Sequence, residues 1–188
     1  MGETGNLLMN NIPIEEESWY AIMTKYQKEK HIADYLEKKG FQCFIPMQYK
    51  EIITRDGKKD RQLKPAVHNL LFIESNESED ILKEYFSQCP YPIIVVKDGR
   101  SKKWYKIPNS QMIEIRAICD PNYTGTLYVD PATAEAKPGE EVLVIRGSFK
   151  GLKGKLVRYK KRYYVVIIVA TLGVMIHIPK WYCEKIVS

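Results

Sequence analysis

The sequence predicts an α+β protein, in which an N-terminal antiparallel sheet with helices is joined through a linker to a small C-terminal β-barrel. Helix and strand patterns alternate up to about residue 118, whereas residues 137–188 contain only short strand patterns. Residues 119–136 are rich in proline, glycine, threonine and acids and have no helical period. We therefore expect a disordered tail (1–17), an N-terminal domain (18–118), a linker (119–136) and a C-terminal domain (137–188).

Composition and charge narrow the class of protein. Of the 188 residues, 45% are hydrophobic and 28% are charged, as in ordinary soluble proteins. The sequence contains neither a signal peptide nor an apolar run long enough to span a membrane, so we expect a cytoplasmic protein. The net charge is +6, and residues 137–188 hold eleven bases against three acids. This excess suits a polyanionic partner, although it also fits a solvated basic face.

The four cysteines stand singly at Cys43, Cys89, Cys119 and Cys183, without CxxC spacing or a histidine cluster. We expect reduced packing residues, with no metal and no cofactor. The segment Gly147–Lys155 resembles a phosphate loop only superficially, because Phe149 and Leu156 replace the required glycine and hydroxyl. With no catalytic set of residues elsewhere, the sequence indicates a protein that is not an enzyme.

The N-terminal domain is predicted to begin with a strand at Ser18–Met23. Thr24 and Gln27 form a capping-box pair that predicts a helix starting there and stopping at Gly40. The next predicted strand is Gln42–Tyr49, and the charged stretch that follows it is predicted to form a protruding hairpin at Lys50–Lys64.

The second half of this domain repeats the same kinds of element. A buried strand is predicted at Asn69–Glu74, an acidic helix at Ser78–Gln88 and further strands at Pro92–Lys97 and Trp104–Ile107. Pro108 then opens a helix whose candidate buried residues are Met112, Ile113, Ile115 and Ile118.

In the C-terminal half a short strand at Thr126–Val129 is expected within the linker. The barrel strands are predicted at Glu141–Arg146, Lys155–Tyr159, Tyr163–Val169 and Val174–Ile178. The run YYVVIIV is so rich in β-branched residues that we expect this segment to form strands rather than refold into helices.

Glycines and valines at fixed spacing mark the start of the C-terminal domain. Val142 and Val144 alternate inward, and the glycines permit a tight loop that holds Phe149 outward between lysines. The segment resembles the KOW motif, with matching residues at Gly139, Val142, Val144, Gly147, Phe149, Gly151 and Gly154. Ser148 stands where the family often has proline. NusG-type factors and some ribosomal proteins share this motif.

The N-terminal domain resembles the NGN domain of NusG-like transcription factors. The resemblance lies in the SWY strand entering a helix, the Phe44-Ile45-Pro46 step, a basic hairpin and the strand HNLLFIE. In that last strand His68 and Leu70 replace the proline and tyrosine that are common in the family. The combination of the two domains covers about residues 18–188 and is far more specific than either half.

The resemblance implies an apolar pocket that grips the clamp helices of RNA polymerase. The matching positions are Met23, Leu70 and Phe72, and Leu70 and Phe72 must share one face of their strand. Plain core packing is the alternative for all three.

The resemblance also places this domain beside the non-template DNA strand, where cations would add affinity without sequence preference. Solvated surface residues are the alternative. The candidate nucleic-acid-binding residues are Lys25, Lys28, Lys30, Arg55, Lys58, Lys59, Arg61 and His68.

In NusG relatives the KOW domain recruits either a ribosomal protein or the termination factor Rho. Here the residues do not indicate which of the two is bound. The candidate partner-binding residues are Arg146, Phe149, Lys150, Lys153, Lys160, Lys161 and Arg162.

Taken together, these features predict an elongation or antitermination factor that binds RNA polymerase and non-template DNA, with nascent RNA as a further candidate partner. The departures at His68, Leu70 and Ser148 and the acidic tail favour a specialised member, similar to UpxY-type antiterminators of long capsular-polysaccharide operons. A housekeeping NusG-type factor and a ribosome-associated KOW protein that binds RNA are the alternatives.

Overall fold

The computed structural model describes residues 18–186, so the predicted tail lies outside the described residues. The N-terminal domain contains, in order, β1 (Ser18–Met23), α1 (Glu29–Glu37), β2 (Gln42–Phe44), β3 (Met47–Ile53), β4 (Lys59–Pro65), β5 (Leu70–Ser75), α2 (Glu79–Ser87), β6 (Ile94–Val95), β7 (Lys106–Pro108) and α3 (Asn109–Ile118).

The main N-terminal sheet is antiparallel and has the strand order β2-β5-β1-β6, with β7 also paired to β1. Side chains alternate across β5, as the pleat of a strand requires. Leu71 and Ile73 pack with Leu36 and Leu82 of α1 and α2 on one face. Leu70 and Phe72 belong to a second core on the opposite face, which includes α3 and reaches into the C-terminal half.

The C-terminal half is almost entirely β. It contains β8 (Thr126–Val129), the short helix α4 (Pro131–Glu135), β9 (Glu140–Val144), β10 (Lys153–Tyr159), β11 (Arg162–Val169), β12 (Leu172–His177), a 3-10 turn (Lys180–Tyr182) and β13 (Cys183–Lys185). The strands form an antiparallel sheet in the order β13-β9-β10-β11-β12-β8. The predicted fold class, an N-terminal sheet with helices followed by an all-β domain, is confirmed.

The segment between the domains contributes to the C-terminal sheet. The predicted short strand at Thr126–Val129 is present as β8 and pairs with β12. The sequence did not predict α4, whose Ala134 is fully buried against a cluster containing Val157 and Met175. The domain boundaries themselves remain a prediction.

The start of the first helix was predicted wrongly. α1 begins at Glu29, because Tyr26 and Gln27 adopt left-handed backbone angles, with φ of 57° and 55°. Thr24 does not cap the helix; its hydroxyl donates to the Pro92 carbonyl at 2.8 Å. A long-range hydrogen bond has replaced the local capping pattern.

Three other details also differ from prediction. The strand predicted at Gln42–Tyr49 divides into β2 and β3 around Pro46, which has no N–H for a ladder. The strand predicted at Pro92–Lys97 shortens to β6, followed by an isolated bridge between Lys97 and Trp104. Ile113 is 61% exposed rather than buried, whereas its helical neighbours Met112 and Ile115 are in the core.

The two domains share one apolar core. It runs from Trp19 and Phe72 through Ile115 of α3 to Val165 and Leu172 of the C-terminal sheet. The turn between β11 and β12 lies against the end of β1, since the Thr171 hydroxyl contacts the Met23 sulfur at 3.5 Å. Within residues 18–186 no helix is both long and apolar enough to cross a membrane.

Candidate functional site

The three residues predicted to bind polymerase lie together on one face of the N-terminal sheet. Met23 is paired in register with Leu70, and Ala21 with Phe72. Leu70 and Phe72 are fully buried, and the Phe72 ring lies 6.1 Å from the Phe44 ring. Met23 is half-buried and carries the sulfur that Thr171 contacts. The C-terminal domain therefore covers an edge of this face.

A polar network fixes the loop that enters this face, and the sequence analysis missed its two central residues. Asn69 has a left-handed φ of 63°, and its carbonyl accepts from the Thr24 amide at 3.0 Å. Its side-chain oxygen accepts from the Gln27 amide at 2.7 Å. Its own amide donates to Glu29 at 3.2 Å. The only signal in the sequence was an asparagine, a residue that tolerates left-handed angles, directly before a buried strand.

Glu29 is a buried acid at the first turn of α1, with only 1% of its side chain exposed. One carboxylate oxygen accepts from Asn69 and the other lies 3.5 Å from His68 Nδ1. His68 is itself 43% exposed. A carboxylate at a helix N-terminus is also stabilised by the helix dipole.

This network brings part of the predicted nucleic-acid surface to the end of the sheet where β1 ends and β5 begins. Lys25 and Lys28 lie on the loop that Asn69 holds, near His68, and Lys30 follows on α1. Lys25 and Lys30 are exposed, whereas the Lys28 ammonium lies 5.4 Å from the centre of the Tyr91 ring. Two of the three lysines thus precede the helix instead of beginning it.

The other predicted cations lie on the β3–β4 hairpin, which forms its own two-stranded sheet. Lys58 contacts Asp56 at 3.3 Å and Lys59 contacts Glu51 at 3.7 Å, and all four side chains are largely exposed. The Arg61 guanidinium lies 4.2 Å from the centre of the Tyr49 ring.

Exposed ion pairs of this kind contribute little to stability. Arg55 is exposed near the tip, so the hairpin presents a basic, solvated ribbon.

The predicted partner-binding residues of the C-terminal domain fall into two groups at opposite ends of β10. The first group lies on the glycine loop and at the first residue of β10 and consists of Arg146, Phe149, Lys150 and Lys153. The second lies on the β10–β11 turn and at the first residue of β11 and consists of Lys160, Lys161 and Arg162. A strand of this length separates its ends by about 20 Å, so the two groups form separate surfaces.

Phe149 is not held out freely as predicted. Its ring is half-buried and packs edge-on against Tyr123 at 5.0 Å. The Tyr123 hydroxyl donates to the His177 carbonyl at 2.9 Å, and burial raises the pKa of this phenol. Together with Arg146 and Tyr182, these residues line a cleft of about 290 Å³.

The glycines of this loop are needed for different physical reasons. Gly147 and Gly151 have φ of 82° and 97°, angles that favour glycine. Gly154 leaves no room for a side chain, because a Cβ there would lie 2.5 Å from the Val166 carbonyl oxygen.

At the β10–β11 turn, Lys160 and Lys161 adopt left-handed angles, with φ of 46° and 66°. The ammonium groups of Lys160 and Lys137 lie 5.4 Å and 4.8 Å from the centre of the Tyr159 ring. Lys160, Lys161 and Arg162 are all exposed, which leaves their charges accessible to a partner.

The cysteines behave as packing residues, and all four are free thiols. Burial raises the pKa of Cys43 to about 12, with a further contribution from the Glu37 charge. Burial also raises the pKa of Cys119 to about 11. Raised values make these two thiols poor nucleophiles at neutral pH. In the described part of the chain, no cluster of three or more His, Cys, Asp or Glu residues could hold a metal ion.

Comparison with known proteins identifies the N-terminal domain. The family model described as "Transcription termination factor nusG" matches residues 17–116, more than half of the chain. Among solved structures, one described as "Domain interaction in Thermotoga maritima NusG" aligns at 17% sequence identity and a TM-score of 0.49. That alignment covers 91% of this chain and 98% of the other.

Proposed function

Since the chain belongs to the NusG family of transcription factors, we propose that it is an elongation or antitermination factor that binds RNA polymerase and suppresses pausing or premature termination. NusG-family proteins are transcription factors rather than enzymes, and they interact with RNA polymerase. The observation that carries the proposal is the family match over residues 17–116, which includes β1 and β5 with their apolar face. Such a factor acts in the cytoplasm.

The proposed polymerase contact is the face formed by Met23, Leu70 and Phe72, which would receive the clamp helices. Apolar side chains on adjacent strands suit an amphipathic helix. Leu70 and Phe72 are already fully buried in the core shared with the C-terminal domain, so in this proposal the clamp helices replace part of that packing. Thr171 now contacts Met23 at one edge of this face. In this proposal, polymerase and the C-terminal domain therefore compete for the whole face of Met23, Leu70 and Phe72.

The proposed DNA contact is made by the cations beside this face. The network around Asn69 fixes the loop of Lys25 and Lys28, and the β3–β4 hairpin extends Arg55 and Lys58 into solvent. Cations that contact phosphates add affinity without sequence preference, and that affinity weakens steeply with salt. This suits a factor that follows the non-template strand along a whole operon.

The C-terminal domain is proposed to be a KOW domain that recruits a ribosomal protein or Rho. Arg146 and Phe149 border the cleft of about 290 Å³, where a partner side chain could enter between aromatic rings. Because Tyr123 packs against Phe149, a partner that uses the Phe149 ring must displace Tyr123 or bind around it.

We place the target of this factor among long capsular-polysaccharide operons, as for UpxY-type antiterminators. His68 and Leu70 depart from the family pattern in and just before β5, and His68 lies 3.5 Å from the buried Glu29. A housekeeping role is the alternative within the family. Transcript lengths in a deletion strain distinguish the two: long-operon transcripts that remain full length would contradict the specialised role. A gene position at the head of such an operon would support it.

A ribosome-associated protein that binds RNA is the second candidate function, because the C-terminal domain holds eleven bases against three acids in residues 137–188. Pull-down with RNA polymerase separates the candidates. We expect the chain to associate with polymerase. Co-sedimentation with ribosomal subunits without any association with polymerase would exclude the elongation-factor proposal.

A further inference from the structure

Trp181 is an exposed tryptophan on the C-terminal domain that no proposed contact uses. Its side chain is 74% exposed, whereas Trp19 is fully buried and Trp104 is half-buried among other aromatic rings. A single exposed apolar residue needs no explanation in itself. The rigid backbone beneath Trp181 and the cations near it indicate that this indole belongs to a binding surface.

The backbone on both sides of Trp181 is fixed by hydrogen bonds. The 3-10 turn Lys180–Tyr182 is closed by the Tyr182 amide, which donates to the Pro179 carbonyl at 2.9 Å. The Tyr182 carbonyl accepts from the Ile145 amide at 2.7 Å. The indole therefore projects from a well-anchored turn rather than from a loose end, which lowers the entropy cost of binding through it.

Aromatic rings and cations occur on the residues that neighbour Trp181. The Lys180 ammonium lies 5.7 Å from the centre of the Tyr163 ring. The Tyr182 ring lies 6.5 Å from the indole, nearly perpendicular to it, and borders the cleft that contains Arg146. Because the indole is 74% exposed, most of its surface is accessible to a stacking partner.

We propose that this band binds single-stranded nucleic acid, with Trp181 stacking on a base and Lys180 and Arg146 contacting phosphates. The inference rests on the proposed function, in which the chain rides on transcribing polymerase beside the non-template DNA strand; the transcript is the second single strand at that site. Aromatic platforms interleaved with cations bind single strands with little sequence preference. The +8 charge of residues 137–188, from eleven bases and three acids, complements a phosphate backbone.

A protein partner fits this band less well. Peptide recognition uses a concave apolar groove into which side chains insert. The cleft beside Tyr182 is lined without Trp181, so the indole protrudes beyond it instead of forming its wall. A flat, exposed ring next to Lys180 and near a cleft that contains Arg146 suits the face of a base.

The test is titration of the full chain with fluorescein-labelled 12-nucleotide oligouridylate and oligodeoxythymidylate at low salt. We expect binding by anisotropy together with quenching of tryptophan emission, and Trp181→Ala should lose most of this quenching. Trp181→Ala should weaken binding roughly 5- to 150-fold, because the stacking of one base is removed. Trp181→Phe should restore part of the affinity. RNA that binds more tightly than DNA identifies the transcript as the ligand, and the reverse identifies the non-template strand.

Matched controls separate stacking from charge and from misfolding. Ile113→Ala removes another exposed apolar side chain, 61% exposed on α3, and should leave the affinity unchanged. Lys180→Gln should reduce the salt dependence by about one phosphate contact. A blunt duplex of the same length should bind without quenching.

The proposal is overturned if the wild-type chain binds neither oligonucleotide, or if Trp181→Ala binds both as tightly as the wild type. It is also overturned if Trp181→Ala loses a ribosomal protein or Rho while it keeps oligonucleotide binding. Polymerase association is measured on the same proteins, and Trp181→Ala should retain it. A wild-type chain that binds oligonucleotides but not polymerase would exclude the proposed function and leave this inference standing.

Discussion

Asn69 connects two loops through a backbone conformation that few residues tolerate. Asn69→Ala removes the side-chain acceptor for the Gln27 amide and places a less suited residue at a φ of 63°. We expect a loss of about 2 kcal/mol in the free energy of unfolding, from one hydrogen bond and one strained angle. Asn69→Gly should cost less because glycine relieves the angle. Urea denaturation measures both, and equal stability of all three proteins would exclude this role.

The rate at which the Cys119 thiol is labelled measures how often the core between the domains opens. Burial raises its pKa to about 11. At pH 8 on the order of one thiol in a thousand is then ionised, against about a quarter at the ordinary pKa of 8.5. We expect iodoacetamide to label Cys119 slowly in the native chain and rapidly in urea, as read by mass spectrometry. Fast native labelling would show that this core opens readily.

The raised pKa of Cys119 also determines how the stability of the fold changes with pH. The folded state favours the neutral Cys119 thiol, so its contribution is present below the unfolded pKa of about 8.5. It is lost as pH rises through that value toward the folded pKa of about 11. Cys119→Ala should remove this alkaline component of unfolding.

Some of these residue contacts were predictable and others were not. Strand alternation placed Leu70 and Phe72 on one face, and the structure confirms that they share a core. The pairing of Glu29 with Asn69 joins residues 40 positions apart. Thr24 turned to the Pro92 carbonyl, 68 positions away. Local capping patterns carry no information about such partners.

At the scale of elements, the β3–β4 hairpin is a basic ribbon outside the main sheet. Neutralising its cations should weaken binding to bubble DNA. The dependence of log affinity on log salt should flatten by about 0.7 for each single-strand phosphate that is no longer neutralised. Fluorescence anisotropy at several salt concentrations measures the slope. The substitutions, all to glutamine, are at Arg55, Lys58, Lys59 and Arg61.

The matched control removes equal charge elsewhere. Its glutamine substitutions are at Lys38, Lys39, Lys102 and Lys103, all of which are exposed. We expect the control to change the slope less than the hairpin variant. Equal effects would mean that the hairpin contributes only net charge and no defined contact.

The elements best predicted from sequence are those whose own residues determine them. The β-branched run at β11 and the Ser78 cap of α2, whose hydroxyl accepts from the Ile81 amide, both follow from local chemistry. β13 was missed because strand pairing stabilises it. α4 does carry a local signal that the prediction overlooked, since Asp130 caps it by accepting from the Thr133 amide at 3.0 Å and Pro131 occupies its first position. Ala134 is fully buried, although nothing in its surroundings along the chain is strongly apolar. Cys183–Lys185 becomes a strand only by pairing with β9.

At the scale of the whole molecule, the domain contact joins Met23 to Thr171, 148 positions apart, which no sequence pattern could reveal. Thr171→Arg places a bulky charge against Met23 and should loosen this contact without changing the proposed polymerase face. We expect tighter binding to RNA polymerase, measured by biolayer interferometry. Thr133→Arg, at an exposed threonine of α4, is the control and should bind as the wild type does.

An unchanged affinity of Thr171→Arg would show that the C-terminal domain does not compete with polymerase. A substitution at Met23, the other residue of this contact, is expected to change the affinity for polymerase in the opposite direction. Met23→Lys places a charge within the proposed apolar face itself. Loosening the domains would raise the affinity, but burying an unpaired ammonium against the clamp helices costs more than that gain.

The most direct test of the central claim is the affinity of the full chain for core RNA polymerase, with the Met23→Lys variant beside it and the fold of each checked by circular dichroism. We predict that the wild-type chain binds polymerase and that Met23→Lys binds at least tenfold more weakly, which corresponds to about 1.4 kcal/mol. Absence of wild-type binding, or equal binding by a folded Met23→Lys variant, would contradict the proposed polymerase face.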